Sequence, residues 1–163
     1  MSAQRPGVRL AVDVGEARVG LAASDPDALL ATPVMTLRRD PKRCSDQRML
    51  VRIARDRDAQ VIYVGLPLSL SAAETASTQK ARDYAAELAV RLSRAEQQVQ
   101  VRLVDERLST VSAAEKMRAA GVEAKHQRGS IDQAAAVEIL THALDMRASL
   151  GSEPGEPVTS PAD

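Results

Sequence analysis

Residues 8–24, which read VRLAVDVGEARVGLAAS, decide how this chain begins to fold. Val8–Val14 is a short β-rich run that ends in Asp-Val-Gly, and Val19–Ser24 is a second such run. The tight turn Gly15–Arg18 joins them, so the sequence predicts a β-hairpin. The first strand of this hairpin carries an acidic residue at its end, immediately before the turn.

Beyond the hairpin, strand-like and helix-like segments alternate. Three further strands are predicted, at Pro33–Leu37, Val61–Val64 and Val99–Val104. Helices are predicted over Ser45–Arg57, after the capping pattern Ser71-x-x-Glu74, after Ser112-x-x-Glu115, and from Ser130-x-x-Gln133 to about Ala148. Such alternation is typical of an α/β protein whose partly parallel sheet is covered on both faces. The opening hairpin makes the sheet mixed.

The length of 163 residues fits a single domain. We expect a flexible N-terminus over residues 1–7, a folded domain over residues 8–149, and a disordered tail over residues 150–163. The tail contains three prolines and three acidic residues but no Lys or Arg, a composition that disfavours a packed core. Because the whole chain has a formal net charge of zero, the remainder without this tail has a charge of +3.

Composition excludes several functional classes. With 22 basic and 22 acidic residues, the chain lacks the overall positive charge of a protein that grips nucleic acid with its whole surface. There is no Phe or Trp and there are two tyrosines, so no multi-ring platform can stack single-stranded bases. The single cysteine, Cys44, excludes an intrachain disulfide and a cysteine-based zinc site.

No apolar run approaches the roughly 20 residues of a membrane span, and the N-terminal residues do not resemble a signal peptide. We therefore expect a soluble, reduced, cytoplasmic protein without a membrane partner.

Acidic residues mark three points at which predicted elements begin or end. Asp13 ends the first strand, Asp105 and Glu106 end the strand Val99–Val104, and Asp132 follows the expected cap of the last helix. Each also has a purely structural explanation. Asp13 could be a turn-forming residue, Asp105 and Glu106 a solvated strand end, and Asp132 a carboxylate that stabilises a helix N-terminus. Only one of Asp105 and Glu106 can share a face with a given partner, because successive strand residues point to opposite sides.

Taken together, these acids suggest a site at one edge of the sheet, where ligands of such folds bind. Three carboxylates gathered there repel each other unless a divalent cation offsets their charge. Oxygen ligands of this kind suit Mg²⁺ or Mn²⁺. Two such ions about 3.5–4 Å apart can activate water and stabilise the leaving oxygen in phosphodiester cleavage.

The distribution of basic residues is consistent with a substrate that contains phosphate groups. Eight Lys or Arg residues lie between Arg38 and Arg57, although such a run on a helix is also typical of a solvated face. The candidate substrate contacts are Arg18, Arg107, Lys125 and Arg128, which adjoin the acidic positions. Arginine binds phosphate through two hydrogen bonds at once. Ion pairs with the nearby acids are the alternative for Arg18 and Arg107.

Four blocks of sequence resemble the YqgF family, also called RuvX, a bacterial branch of the RNase H-like nucleases. They are AVDVGEARVGLAASD from Ala11, VGLPLSLS from Val64, DERLSTVSAAEKM from Asp105, and the later SIDQAAAVEIL. They stand in the expected order and span roughly Val8 to Leu144. The chain departs from the family at residues 69–72, where the turn after GLPL lacks glycine.

The resemblance implies an RNase H-like fold with a central five-stranded mixed sheet flanked by helices. It also implies a metal-dependent acidic triad, Asp13, Glu106 and Asp132, which would bind the metal and carry catalysis, with Arg18 and Arg107 as substrate contacts. The activity it implies is that of a nuclease that matures the 5′ end of pre-16S ribosomal RNA.

Three alternatives stay open at this stage. A Holliday junction resolvase would use the same metal chemistry and would act as a dimer, whereas an RNA nuclease could be a monomer or a homodimer. A non-catalytic module that binds RNA or polymerase would keep the acids for structural reasons. An actin-like phosphotransferase also begins with an Asp-x-Gly hairpin, but this chain is too short for its two lobes.

Overall fold

The structure, a computed structural model, describes residues 5–106 and 124–159, with residues 124–130 described as helical backbone only. The strands are β1 (Val8–Val14), β2 (Arg18–Ser24), β3 (Ala31–Arg38), β4 (Ala59–Leu66), β5 (Gln100–Asp105) and β6 (Glu156–Val158). The helices are α1 (Ser45–Asp56), α2 (Ala76–Arg94) and α3 (Ala124–Leu150). Within the described ranges, no helix combines the length and apolarity that a membrane crossing requires.

One mixed sheet organises the molecule, with strand order β3-β2-β1-β4-β5-β6. The predicted hairpin is present, since β1 and β2 pair antiparallel with Asp13 opposite Gly20. Strand β1 pairs parallel with β4, and β4 pairs parallel with β5. The carboxyl ends of β1, β4 and β5 therefore meet at one edge of the sheet.

Helices cover both faces of the sheet. On one face, α1 and α2 pack on residues such as Leu10, Val12 and Ile62, which are buried completely. On the other face, α3 packs Ala136 and Leu140 against alternate residues of the same strands. Since side chains alternate along a strand, Asp13 points to the same face as the α3 core. This three-layer arrangement is the α/β architecture that the alternation of elements predicts.

Two predicted helix starts are wrong. Helix α2 begins at Ala76 with Thr75 as its cap, and the Thr75 and Thr78 hydroxyls bond each other's backbone amides reciprocally. This pair replaces the pattern at Ser71, which lies in the preceding loop. Helix α3 already begins at Ala124, so Ser130 is inside the helix and is not its N-terminal cap position. The expected short helix after Ser112 lies outside the described residues.

The loop that lacks the family's glycine has a left-handed residue in its place. Ala72 has a φ of 66°, a region that alanine enters at a cost of roughly 1 kcal/mol. The Ser69 hydroxyl accepts from the Ala73 amide at 3.0 Å, and the Ser69 carbonyl accepts from the Ala72 amide at 2.9 Å. These two bonds hold the turn closed without glycine.

The sheet has six strands where five are predicted, because the expected disordered tail is ordered over residues 151–159. Glu156–Val158 pairs antiparallel with β5 as a new edge strand. The Arg102 side chain donates to the carbonyls of Pro154 at 2.8 Å and Gly155 at 2.9 Å. Residues 160–163 and 1–4 lie outside the described part of the chain.

A buried ion pair explains why this acidic, proline-containing segment is ordered. The Glu153 carboxylate accepts from Arg9 at 2.5 Å and from Arg147 at 3.2 Å, and the Tyr63 hydroxyl also donates to it. The side chain of Arg9 is only 6% exposed. A buried guanidinium without a carboxylate would be strongly destabilising, so the fold needs the segment that carries Glu153.

We expect Glu153→Gln to lower the free energy of unfolding by roughly 2–4 kcal/mol, because the change leaves Arg9 buried and without its counter-charge. The matched control is Glu156→Gln on the same segment, where the carboxylate pairs with Arg82 at 3.0 Å but is more than half exposed. Urea unfolding at pH 7 measures both variants. Equal stability of the two variants would contradict the assigned role of Glu153.

Candidate active site

The carboxylates of Asp13 and Glu106 form a hydrogen-bonded pair at the edge where β1, β4 and β5 end. Asp13 is the penultimate residue of β1, and Glu106 follows directly on β5. The neighbouring Asp105 ends β5 in register with Leu66. The structure thus brings Glu106, and not Asp105, into hydrogen-bonding contact with Asp13.

Burial and mutual repulsion change the ionisation of this pair. Burial raises the pKa of Glu106 to about 8, and the charge of Asp13, the hydrogen bond to it and the charge of Asp105 act in the same direction. Burial also raises the pKa of Asp13, the bond from Glu106 opposes this, and the charge of Asp132 adds to it. At neutral pH the pair therefore keeps one proton, which Glu106 donates to Asp13.

Two glycines make room for the acidic groups. A side chain at Gly65 on β4 would overlap the Glu106 carboxylate and the end of Ile139. A side chain at Gly20 on β2 would overlap the backbone of Asp132 at its carbonyl. Sequence reasoning did not single out either glycine, although both lie inside strands, where glycine often marks a close approach of another group.

Asp132 is near the pair but is held by an arginine. The Arg18 Nε donates to the Asp132 carboxylate at 2.7 Å, and the two side chains are 40% and 19% exposed. Asp132 lies on α3, whose next residue, Gln133, donates to the Thr36 hydroxyl at 3.2 Å. Arg18 therefore lies beside the acids as predicted, but its observed partner is a carboxylate.

The remaining predicted substrate contacts are not described at the level of side chains. Arg107 lies outside the described residues, and Lys125 and Arg128 fall in the part of α3 described as backbone. Their roles stay predictions.

The donor set suits a hard divalent cation in part. Asp13 and Glu106 offer carboxylate oxygens, and a cation between them would relieve the repulsion that now keeps a proton there. Among the side chains of residues 5–106 and 131–159, no three acidic, His or Cys groups are arranged to hold a metal ion. Asp132, the third predicted acid, accepts from Arg18 through its Oδ2 oxygen.

A family model described as RuvX, Holliday junction resolvase, matches residues 7–146 of the chain. A relative from Clavibacter michiganensis is 51% identical over 151 residues, which cover 93% of this chain and 91% of that protein. A second, from Kineococcus radiotolerans, is 49% identical and covers 96% of this chain and 81% of that protein. Both carry the curated name "Putative pre-16S rRNA nuclease".

The chain belongs to the RuvX family. The resemblance read from its four sequence blocks is thereby confirmed over nearly the whole domain.

Solved structures confirm the RNase H-like fold. Thermus thermophilus RuvC in complex with a Holliday junction substrate is 16% identical, with a TM-score of 0.56, and the match covers 93% of this chain and 99% of RuvC. A second RuvC structure from T. thermophilus gives a TM-score of 0.50 at 17% identity. Similarity at this level of identity concerns the fold alone. The fold of this RuvX protein is the predicted α/β architecture, with six strands in the sheet instead of the predicted five.

The raised pKa of Glu106 predicts how the metal-free protein responds to pH. Its stabilising contribution is complete below its ordinary pKa of 4.5 and is lost as the pH rises through about 8. In EDTA, the wild type should lose roughly 2–4 kcal/mol of unfolding free energy between pH 5 and pH 9 relative to Glu106→Gln. Urea unfolding at several pH values measures this difference.

Glu16→Gln is the matched control for that measurement. Lys80 keeps the pKa of the exposed Glu16 below its ordinary value, so Glu16 stays ionised across the whole range. This control should follow the pH profile of the wild type. If Glu106→Gln also followed it, Glu106 could not hold the proton assigned to it.

Proposed function

We propose that this chain is a metal-dependent nuclease that hydrolyses phosphodiester bonds in the maturation of the 5′ end of pre-16S rRNA. The observation that carries the proposal is the buried Asp13–Glu106 pair at the carboxyl edge of the sheet. Support for the substrate comes from relatives about half identical to this chain that are named for a pre-16S rRNA nuclease. We place the enzyme in the cytoplasm, where the precursor of ribosomal RNA is found in bacteria.

Asp13 and Glu106 have the chemistry expected of metal ligands and not that of residues that only support the fold. Two buried carboxylates that share a proton destabilise the fold at neutral pH, and no basic residue among those described neutralises Asp13 or Glu106. Such strongly perturbed groups in contact with each other cluster at functional sites. This argues against the non-catalytic binding module, in which the acids would only support the structure.

Asp13 and Glu106 would hold Mg²⁺ or Mn²⁺, with Asp132 as the third ligand. When bound, such a cation supplies Lewis-acid activation of a water and of the scissile phosphate, and a pair of cations can do both at once. Loss of the Glu106 proton frees the pair to bind the cation. The two-ion type of site also needs Asp132, whose Oδ2 oxygen now accepts from Arg18.

Arg18 connects substrate binding with completion of the site. Its guanidinium is 40% exposed and now bonds to Asp132. A phosphate oxygen that accepts from Arg18 instead would leave the Asp132 carboxylate free to turn toward Asp13. Arg107, Lys125 and Arg128 are the further residues proposed to contact phosphates of the substrate.

A Holliday junction resolvase is the second candidate. The description of the matching family model and the fold shared with RuvC favour it. The same three carboxylates would act, but two sites must cut opposed strands, so the active species would be a homodimer.

A metal should stabilise the free protein by mass action, since it binds the folded acids and not the unfolded chain. We expect Mn²⁺ at about 100 times its Kd to contribute roughly 2.7 kcal/mol and to raise the Tm. Asp13→Asn should lose most of this shift, whereas the adjacent Asp105→Asn should keep it. A shift of equal size in wild type and Asp13→Asn would contradict the metal assignment.

Cleavage assays test the function itself. Purified protein is offered a precursor of 16S rRNA and a four-way DNA junction, in Mg²⁺, Mn²⁺ and EDTA. We expect cleavage of the RNA only when a metal ion is present. The cleavage rate should fall by roughly 100-fold or more in each of Asp13→Asn, Glu106→Gln and Asp132→Asn. The effects of combined substitutions should be non-additive, because the acids act together. Cleavage of the junction alone would establish the resolvase, and cleavage of neither would overturn both proposals.

A further inference from the structure

A groove between α1 and α2 is lined by guanidinium groups. It has a volume of about 310 Å³ and is formed by Arg48 and Val51 of α1 and by Arg91, Arg94 and Ala95 at the end of α2. It lies on the face of the sheet opposite to α3, and so it is distinct from the carboxylate site. The proposed catalytic site and its substrate contacts include none of these arginines.

One of the arginines is held in place by a buried amide. Arg91 Nε donates to the Gln47 side-chain oxygen at 2.9 Å, and the Gln47 amide donates to the Tyr84 carbonyl at 3.2 Å. Gln47 is 1% exposed. A buried glutamine that fixes an arginine at the mouth of a groove reduces the entropy that the arginine loses when it binds an anion.

Basic residues connect the groove with the β1–β2 turn beside the candidate site. Arg39 NH1 donates to the Gly15 carbonyl at 3.3 Å, and its guanidinium lies over the Tyr84 ring, 5.3 Å from the centroid. The loop from β3 to α1 adds two more cations. We call this row the basic tract, and it consists of Arg39, Lys42, Arg43, Arg48, Arg91 and Arg94.

The tract has no direct ion-pair partner in the described part of the chain. None of its six cations forms an ion pair with a carboxylate of residues 5–106 or 124–159. Three acids that lie beside it, Asp40, Asp46 and Glu87, accept hydrogen bonds from other groups. Glu87 accepts from the Gln47 side-chain amide at 3.5 Å. Asp40 accepts from the Ser45 hydroxyl at 2.8 Å, and Asp46 accepts from the Tyr84 hydroxyl at 2.9 Å.

The length and composition of the tract match a phosphodiester backbone. From Tyr84 to Arg94, α2 rises roughly 15 Å, which is the axial span of four to five phosphates of one strand. Arginines outnumber lysine five to one in the tract, and arginine binds phosphate with two hydrogen bonds at once. An acidic peptide would meet the same charge, but the tract begins at the β1–β2 turn, beside the proposed cleavage site, which favours nucleic acid.

We propose that the basic tract binds the phosphodiester backbone of nucleic acid beyond the bond that is cleaved, so that a bound strand passes from the edge of the sheet onto α1 and α2. The nature of this ligand rests on the proposed function. Because the tract offers guanidinium and ammonium groups to phosphates, binding there is independent of base sequence.

The test compares Arg48→Gln/Arg94→Gln with Arg5→Gln/Arg52→Gln. Both double variants remove two positive charges, but Arg5 and Arg52 lie outside the tract and pair with Asp27 and Asp56. The ligands are fluorescent RNAs that share the cleavage site and carry either two or fifteen further nucleotides on the 5′ or the 3′ side. Affinity is measured by anisotropy in EDTA, from about 50 to 200 mM salt.

We expect the tract variant to bind one of the long RNAs roughly 10-fold more weakly at low salt. Its slope of log affinity against log salt should be less steep by about 1.5–2, as two phosphate contacts are lost. Its affinity for the short RNAs should equal that of the wild type, and the control variant should bind every RNA like the wild type. Equal losses in both variants, or on short and long RNA alike, would overturn the proposal.

A second arm separates this inference from the proposed function. If the wild type cleaves RNA and the tract variant binds the long RNA normally, the tract proposal fails alone. If the wild type cleaves neither substrate while the tract variant still binds long RNA more weakly, the proposed function fails and the tract stands. Binding of a polyglutamate peptide that depends on Arg48 and Arg94, without any effect on RNA, would assign the tract to an acidic protein and overturn the proposal.

Discussion

The candidate site depends on two places in the sheet where no side chain projects. Gly20 lets α3 bring the backbone of Asp132 against β2, and Gly65 leaves the space that the Glu106 carboxylate fills beside Asp13. A methyl group at Gly20 would meet backbone atoms, which cannot move without shifting the helix. At Gly65 it would meet the flexible ends of two side chains. The position of the helix, and with it the spacing of the acids, is therefore set by van der Waals contact.

Charge is distributed so that the free protein is stable before it binds anything. Repulsion among the acids at the edge of the sheet is relieved by one retained proton between Asp13 and Glu106. Arg18 offsets the charge of Asp132, with which it pairs at 2.7 Å. On the opposite face, the six cations of the basic tract lie on and beside α1 and α2 without ion-pair partners among the described residues. A polyanion that contacts both regions would replace the internal contact of Arg18 and supply the missing charge along the helices.

Sequence reasoning succeeded where the cause was local. The hairpin and α1 follow from residue periodicity and turn chemistry. That Asp13 meets an acid from the end of β5 follows from two strand ends at one edge of a parallel sheet, whereas the choice of Glu106 over Asp105 came from the family resemblance. It failed where distant residues decide. The capping pattern at Ser71 was outcompeted by Thr75 and Thr78, whose hydroxyls and amides satisfy each other. The ordered C-terminal segment could not be foreseen, because its composition is that of a disordered chain and its anchor, Arg9, is 144 residues away from Glu153.

That separation has a consequence for the order of events during synthesis. Arg9 leaves the ribosome early, within the first strand, whereas the carboxylate that neutralises it is made near the end of the chain. Until then a guanidinium stands at a position destined for the interior, and the open side of β5 exposes unpaired backbone groups. The sheet can therefore be completed only after translation has passed Val158, the end of β6. Until that moment the nascent chain must stay protected from edge-to-edge association.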